Sequence, residues 1–309
     1  MQATAKHERR SSRATRDGAN RSDAAESRAL KLTSKLAEHA EKMQDSMSAD
    51  EVHKLRTTVR RVEVVLQSAV DARGKAKLDE QLKKLRKRAG KVRDLDVHLG
   101  MLEELDSGDQ RACHELHSYL KDKRDKHANK LEKILKAEVD DGLSKRLKRT
   151  AKAVHQESPD TARAEEQLAS VRQRFISLTA NIPEAAAALH QLRIDCKRLR
   201  YEVEALAPEA DTRVANTIEA HAAELVEQLK RVQDEIGVWH DWLTLHETAQ
   251  RQLPGTAALL ALLRARTATH YHAARRTVAE IRSQLEGAGA RKKPPKAASR
   301  AARSHSLAV

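Results

Sequence analysis

At 309 residues the chain has room for one large domain or two of ordinary size. Charged side chains make up 34% of it and aromatics only 2%, a mixture of Ala, Leu, Lys, Arg and Glu that favours helix and excludes an ordinary β protein. The net charge of +14 favours polyanionic partners without choosing among them. No apolar run reaches the roughly 18 residues a membrane span needs. The polar N-terminus has no apolar leader core, so a cytoplasmic protein is expected. Cys113 and Cys196 have neither metal nor disulfide spacing and are expected as reduced thiols.

Residues 1–24, rich in Ser, Arg and Ala, read as a disordered arm. Helical periodicity then predicts helices near 25–45, 49–71, 76–106, 108–139, 143–157, 161–180, 184–206, 209–251 and 255–286, with Pro159, Pro183, Pro208 and Pro254 between them. Residues 287–309 read as a basic flexible tail, with Gly287, Gly289, Pro294 and Pro295 and six Lys or Arg against no acid. The segment 25–286 divides into a first repeat over 25–140, a connector over 141–160 and a second repeat over 161–286.

That division rests on two duplicated motifs. His53-Lys54-Leu55-Arg56-Thr57-Thr58-Val59-Arg60-Arg61 recurs as His190-Gln191-Leu192-Arg193-Ile194-Asp195-Cys196-Lys197-Arg198, the shared pattern being H-x-L-R-x-x-x-[RK]-R. Downstream, the segment from Glu80 to Asp94 aligns without gaps with that from Glu227 to Asp241, and each carries a central glycine, Gly90 or Gly237. The second half holds extra residues between its motifs, around Pro208 to Val226. An internal repeat of amphipathic helices joined by short turns predicts an all-α protein of two four-helix bundles related by a pseudo-two-fold axis.

On a helical wheel with His53 at zero, Arg56 falls at about 300°, Arg60 at about 340°, Arg61 at about 80° and Lys54 at about 100°. Val52, Leu55, Val59, Val62 and Leu66 fall between about 180° and 260° and form the stripe expected in the core. In the second copy His190, Arg193, Lys197, Arg198, Arg200 and Tyr201 take the polar half, and Leu189, Leu192, Leu199 and Val203 the apolar one. A solvated helix face mixes signs to gain i,i+4 pairs. Residues 53–61 hold four Arg or Lys and no acid, and in the second copy only Asp195 and Glu202 intrude. A bound anion would relieve that repulsion, so both helices are candidate polyanion sites. Arginine suits phosphate because its planar fork makes paired charge-assisted bonds. A histidine beside such arginines donates to phosphate once protonated.

Nucleic acid is the competing ligand. Single-strand binders stack bases on aromatic rings, whereas this chain has one Phe, two Trp and three Tyr, of which only Tyr201 lies on a basic face. The balance favours a polyanion without bases, with RNA or DNA as a weaker competitor gripped through its backbone.

The doubled H-x-L-R-x-x-x-[RK]-R, followed by G-x-x-R/H-D at Gly90–Asp94 and Gly237–Asp241, resembles the CHAD domain, the conserved histidine α-helical domain. The resemblance runs over about residues 25–286. It implies a basic central cavity between the bundles, binding of inorganic polyphosphate and, in some bacteria, association with polyphosphate granules. By motif it implies a site of His53, Lys54, Arg56, Arg60 and Arg61 in the first half and His190, Arg193, Lys197, Arg198, Arg200 and Tyr201 in the second. Lys83, Lys230, Arg86 and Arg93 join them from the long helices. Gln191 stands where the first copy has Lys54, and Trp239-His240-Asp241-Trp242 departs from Val92-Arg93-Asp94-Leu95. Asp94, Asp96 and Asp241 are expected to orient arginines and hold helices together. No Walker loop, H-E-x-x-H or nucleophile motif is present, and no cofactor is implied. A lining made almost wholly of cations stabilises a bound ground state, so a binder rather than an enzyme is expected. A structural coat or scaffold whose basic faces serve solubility alone is the remaining reading.

Overall fold

The computed structural model describes residues 26–43, 47–69, 74–106, 108–154, 161–182, 184–206 and 217–290. The N-terminal arm and the tail from 291 onward lie outside them, as does the first part of the extra stretch of the second repeat. Helices occupy nearly all of the described residues. They are α1 (26–42), α2 (Ala49–Val65), α3 (Lys75–Glu103), α4 (Gln110–Asp140), α5 (Leu143–Ala151), α6 (Thr161–Leu178), α7 (Ala186–Leu206), α8 (Thr217–Gln252) and α9 (Ala257–Ala290). Among the described residues the only extended pairing is an isolated antiparallel bridge between Ala69 and Val154.

Local chemistry sets the ends. Ser48 caps α2 by accepting from the Glu51 N–H at 3.2 Å, with Asp50 and Glu51 in the first turn favourable to the helix dipole. Asp109 caps α4 in the same way, accepting from Ala112 N–H at 3.1 Å. Gly142, at φ 80°, turns the chain sharply from α4 into α5, a left-handed conformation where a β-carbon would be strained. α2 tightens into a 3-10 turn over Leu66–Ser68 instead of running to 71. α9 passes Gly287 and Gly289 to Ala290, beyond its expected end at 286, because no proline stops it before Pro294.

The core divides in three. One cluster joins α1, α2, the first parts of α3, the end of α4 and α5, with Leu36, Leu55, Val59, Leu82, Leu131 and Leu147 all buried. A second joins α6, α7, the first part of α8 and the end of α9, through Phe175, Leu189, Leu199, Leu229, Trp239 and Val278. The third is shared: Leu95 and Leu102 of α3 and Leu116 and Leu120 of α4 pack with Leu245 and Ala249 of α8 and Leu259 and Leu263 of α9. Each long helix therefore starts or ends in its own half and crosses into the common core. The apolar stripes expected on α2 and α7 are buried as read.

α5, within the expected connector, belongs to the first core. Leu143, Leu147 and Ala151 of α5, spaced by four, bury one face in the first core. A polar network fastens it there: Arg146 Nε donates to Gln81 Oε1 at 2.8 Å, and buried Gln81 donates to Glu138 of α4. A second tie lies at the middle of α4. Arg124 Nε donates to Asp96 Oδ1 at 2.9 Å and its Nη2 donates to the Met47 carbonyl, so one side chain joins α4, α3 and the entry to α2. The Asp96 side chain is only 4% exposed. Asp96→Ala would leave the guanidinium without its carboxylate and is expected to cost on the order of 3 kcal/mol. Urea denaturation checks this, with Asp96→Asn, which keeps an acceptor, expected to cost less.

Candidate functional site

The apolar stripes fix how α2 and α7 roll. Burying Leu55, Val59 and Val62 on one and Leu192, Leu199 and Val203 on the other aims Arg56, Arg60, Arg193 and Lys197 away from the two cores. These four act electrostatically on one another across the halves. Lys197 is depressed first by burial and then by Arg60, Arg56, Arg193 and Arg86, which pushes its ammonium down to about 8. Burial likewise lowers Arg60, with Arg56, Arg193 and Arg86 adding repulsion. Arg56 feels Arg193 and Arg93 on one side and Asp94 and Asp241 on the other. The Nε atoms of Arg56, Arg60, Arg193 and Arg200 are shielded from solvent and have no hydrogen-bond partner among the described residues. Donors in that state are costly to leave unmade.

The two central glycines carry part of the geometry. A β-carbon on Gly237 would stand 3.3 Å from Arg193 Nε and 3.4 Å from its Nη2, and one on Gly90 would stand 3.8 Å from Arg56 Nε. In both halves, then, the H-x-L-R arginine lies over the glycine of the long helix next to it. Beyond the glycines come Asp94 and Asp241. Burial is the main cause that raises the Asp94 carboxyl pKa, with Asp241 adding to it and Arg56 opposing, yet its surface is still wetted. A group both surrounded and wet lies in a recess. Buried His98 of α3 lies close to Asp241 of α8 and to Asp94, so the halves meet at this point. The rings of His190 and His240 lie 4.4 Å apart, tilted by 33°.

Not every expected residue joins this recess. Lys54 is held by Asp50 and Glu51 of its own helix. Arg198 is 70% exposed and lies 3.4 Å from Asp195. Lys230 lies 3.6 Å from Glu227, and Lys83 is exposed. Arg61 is exposed beside Glu204, to which Arg200 also binds at 3.0 Å. Arg86 is at the recess but already 2.9 Å from Glu63. Arg93 lies near Arg56 and His53, and His53 is exposed at the edge. Burial, then neighbouring cations, keeps His53 below the ordinary histidine range; burial, His240 and Arg193 do the same for His190. Tyr201 has Arg200 at 5.0 Å and Lys197 at 5.6 Å from its ring centre. That ring serves cations already. His98 and His240 were absent from the sequence-derived site. His98 has no counterpart in the repeat, where Leu245 stands, so comparing the halves hides it.

The depressed Lys197 has a stability consequence. From about pH 8 up to the ordinary lysine value of 10.5 the unfolded chain binds a proton that the folded chain does not, so stability rises with pH. Cys196 acts oppositely above its ordinary 9.0, because burial pushes its thiol up to about 12. The clean window is therefore pH 8 to 9. Lys197→Met is expected to be more stable than the parent at pH 7.5, with the gap narrowing toward pH 9 in urea denaturation. A constant gap would mean the lysine is not depressed.

The CHAD domain family model matches residues 27–250. The fold is similar to the crystal structure of the CHAD domain from the plant Ricinus communis, at 18% identity and a TM-score of 0.58, covering 86% of this chain and 91% of that one. It is similar also to PptA from Streptomyces chartreusis, at 14% identity and a TM-score of 0.59, covering 86% of this chain and 99% of that one. No curated protein matches the sequence. Because the match takes in both H-x-L-R helices and both long helices with their central glycines, the chain belongs to the CHAD domain family.

Proposed function

We propose that the chain binds inorganic polyphosphate along the recess between α2 and α7, as a binding module rather than an enzyme. The observation that carries this reading is the convergence of Arg56, Arg60, Arg193 and Lys197 with guanidinium donors unpaired. Phosphate oxygens supply the missing acceptors and lower the mutual repulsion together. Each contact releases counterions from the polymer, so affinity falls steeply with salt. A longer polymer reaches more of the cations at once. On this reading the outer residues, His53, Lys54, Arg61, Lys83, Arg198 and Lys230, are further cations for a longer chain to meet. Binding of this kind would seat the protein on polyphosphate granules in the cytoplasm.

Base-containing polymers fit less well. The ring of Tyr201 is flanked by cations, and no other Tyr, Trp or Phe joins the charged cluster. A competition titration of long-chain polyphosphate against RNA, at equal phosphate and near-physiological salt, is expected to favour polyphosphate. Arg56→Ala, Arg60→Ala, Arg193→Ala and Lys197→Ala combined are expected to lower polyphosphate affinity by more than about a hundred-fold while helicity persists, each lost charge-assisted bond being worth roughly 1.5–3 kcal/mol. RNA preferred by the parent, or unchanged affinity in the variant, would sink the proposal. Gly237→Ala separates binding from folding. It gains up to about 1 kcal/mol of helix propensity, yet its methyl displaces the Arg193 fork. The expected result is an unchanged or raised Tm with weaker polyphosphate binding, and a smaller effect for Gly90→Ala, where the clearance is larger.

A further inference from the structure

A second cationic surface lies outside the recess, on the seam where α3 packs along α4. Arg88 and Lys91 of α3 and Lys123 and Lys130 of α4 surround His127, and all four act on its ring as like charges. The His127 Nδ1 atom is shielded from solvent and has no hydrogen-bond partner among the described residues. Arg88 and Lys91 lie about 160° from Arg86 and Arg93 around α3, so the seam and the recess are on opposite flanks of one helix.

An ordinary solvated seam would mix signs, and one end of this one does. Toward the C-terminus of α4, Lys84 lies 3.4 Å from Glu138 and Lys77 lies 2.8 Å from Asp141. At the middle of α4, Arg124 turns to another side, where it pairs with Asp96 at 2.9 Å and lies 3.8 Å from Asp125. On the His127 side, Arg88, Lys91, Lys123 and Lys130 make no ion pair among the described residues, and Asp122, Asp125 and Glu132 sit on another side of α4. The α8–α9 seam provides the contrast. There the histidine is His270, whose neighbours are Glu235 as well as Arg266, and Trp242 lies stacked on it at 5.8 Å and 8°. Val238 is exposed on α8 where the repeat places Lys91 on α3. Charge without compensation is thus confined to one seam of the two.

We infer that the middle of the α3–α4 seam is a second, separate anion site, in which Arg88, Lys91, Lys123 and Lys130 hold a condensed phosphate around His127. Lys123 to Lys130 spans about 10 Å of helix, so the patch takes a short run of phosphates. The nearest aromatic, Tyr119, has Lys123 over its ring at 5.4 Å and offers no open face to a base. The ligand class is therefore an oligophosphate without bases, and the site stands whether or not the recess binds polymer.

The test uses the full chain with the four recess residues changed to alanine, titrated with inorganic tripolyphosphate while the His127 imidazole signal is followed by NMR. The signal is assigned by its loss in His127→Gln. A saturable shift is expected, weakened more than about ten-fold by Lys91→Glu with Lys123→Glu, two charge-assisted contacts being reversed. Lys31→Glu with Lys35→Glu on α1 makes the same charge change elsewhere and is expected to have little effect. No saturable response, or equal loss in the α1 control, overturns the inference. So does RNA displacing tripolyphosphate at equal phosphate. If the four-alanine protein still binds long-chain polymer like the parent, the recess reading fails by itself, and the seam is judged on the His127 response.

Discussion

Repulsion between like charges is the constraint around which this molecule is arranged. Arg56 and Arg60 of one half stand against Arg193 and Lys197 of the other, with the nearest carboxylates, Asp94 and Asp241, at one end and the Glu63 carboxylate taken by Arg86. Isolated, these helices would turn their basic faces to bulk water and apart. They are held in place by what lies behind them: Leu55, Val59 and Val62 anchor α2, and Leu189, Leu192, Leu199 and Val203 anchor α7. Burial of such residues at about 25 cal/mol per Å² of apolar surface outweighs exposed-charge repulsion of about 1 kcal/mol per pair in water. Burial first, and the surrounding arginines second, push the Lys197 ammonium down to about 8.

The same logic explains the glycines. The arginine of each motif lies across a long helix at a glycine, Arg193 over Gly237 and Arg56 over Gly90. A helix interior is an unfavourable place for glycine by about 1 kcal/mol. At Gly237 a β-carbon would crowd Arg193 at 3.3 Å, which gives the glycine a steric reason, whereas at Gly90 it would meet Arg56 at an ordinary contact distance of 3.8 Å.

Much of this was readable from residues in order. The stripe of Val52, Leu55, Val59, Val62 and Leu66 has a single period and a single explanation, so its burial followed from the pattern. Charge was harder, because a cation faces a partner as well as a direction. Lys54 and Arg198 belong to the motif, but Asp50, Glu51 and Asp195 within one turn draw them aside. His98 lies four residues past Asp94 with no repeat counterpart, and its role appears only once α3 meets α8. α5 lies outside both repeats, and its fit into the first core depends on a turn at Gly142 whose direction no periodicity encodes. The α3–α4 seam is invisible for a similar reason, since lysines on two helices become one patch only through packing.

The shared third core bears on how the chain could ever be divided. Leu95, Leu102, Leu116 and Leu120 share one core with Leu245, Ala249, Leu259 and Leu263. Cutting between the repeats would strip both fragments of that cover and leave each with a greasy end on its longest hairpin.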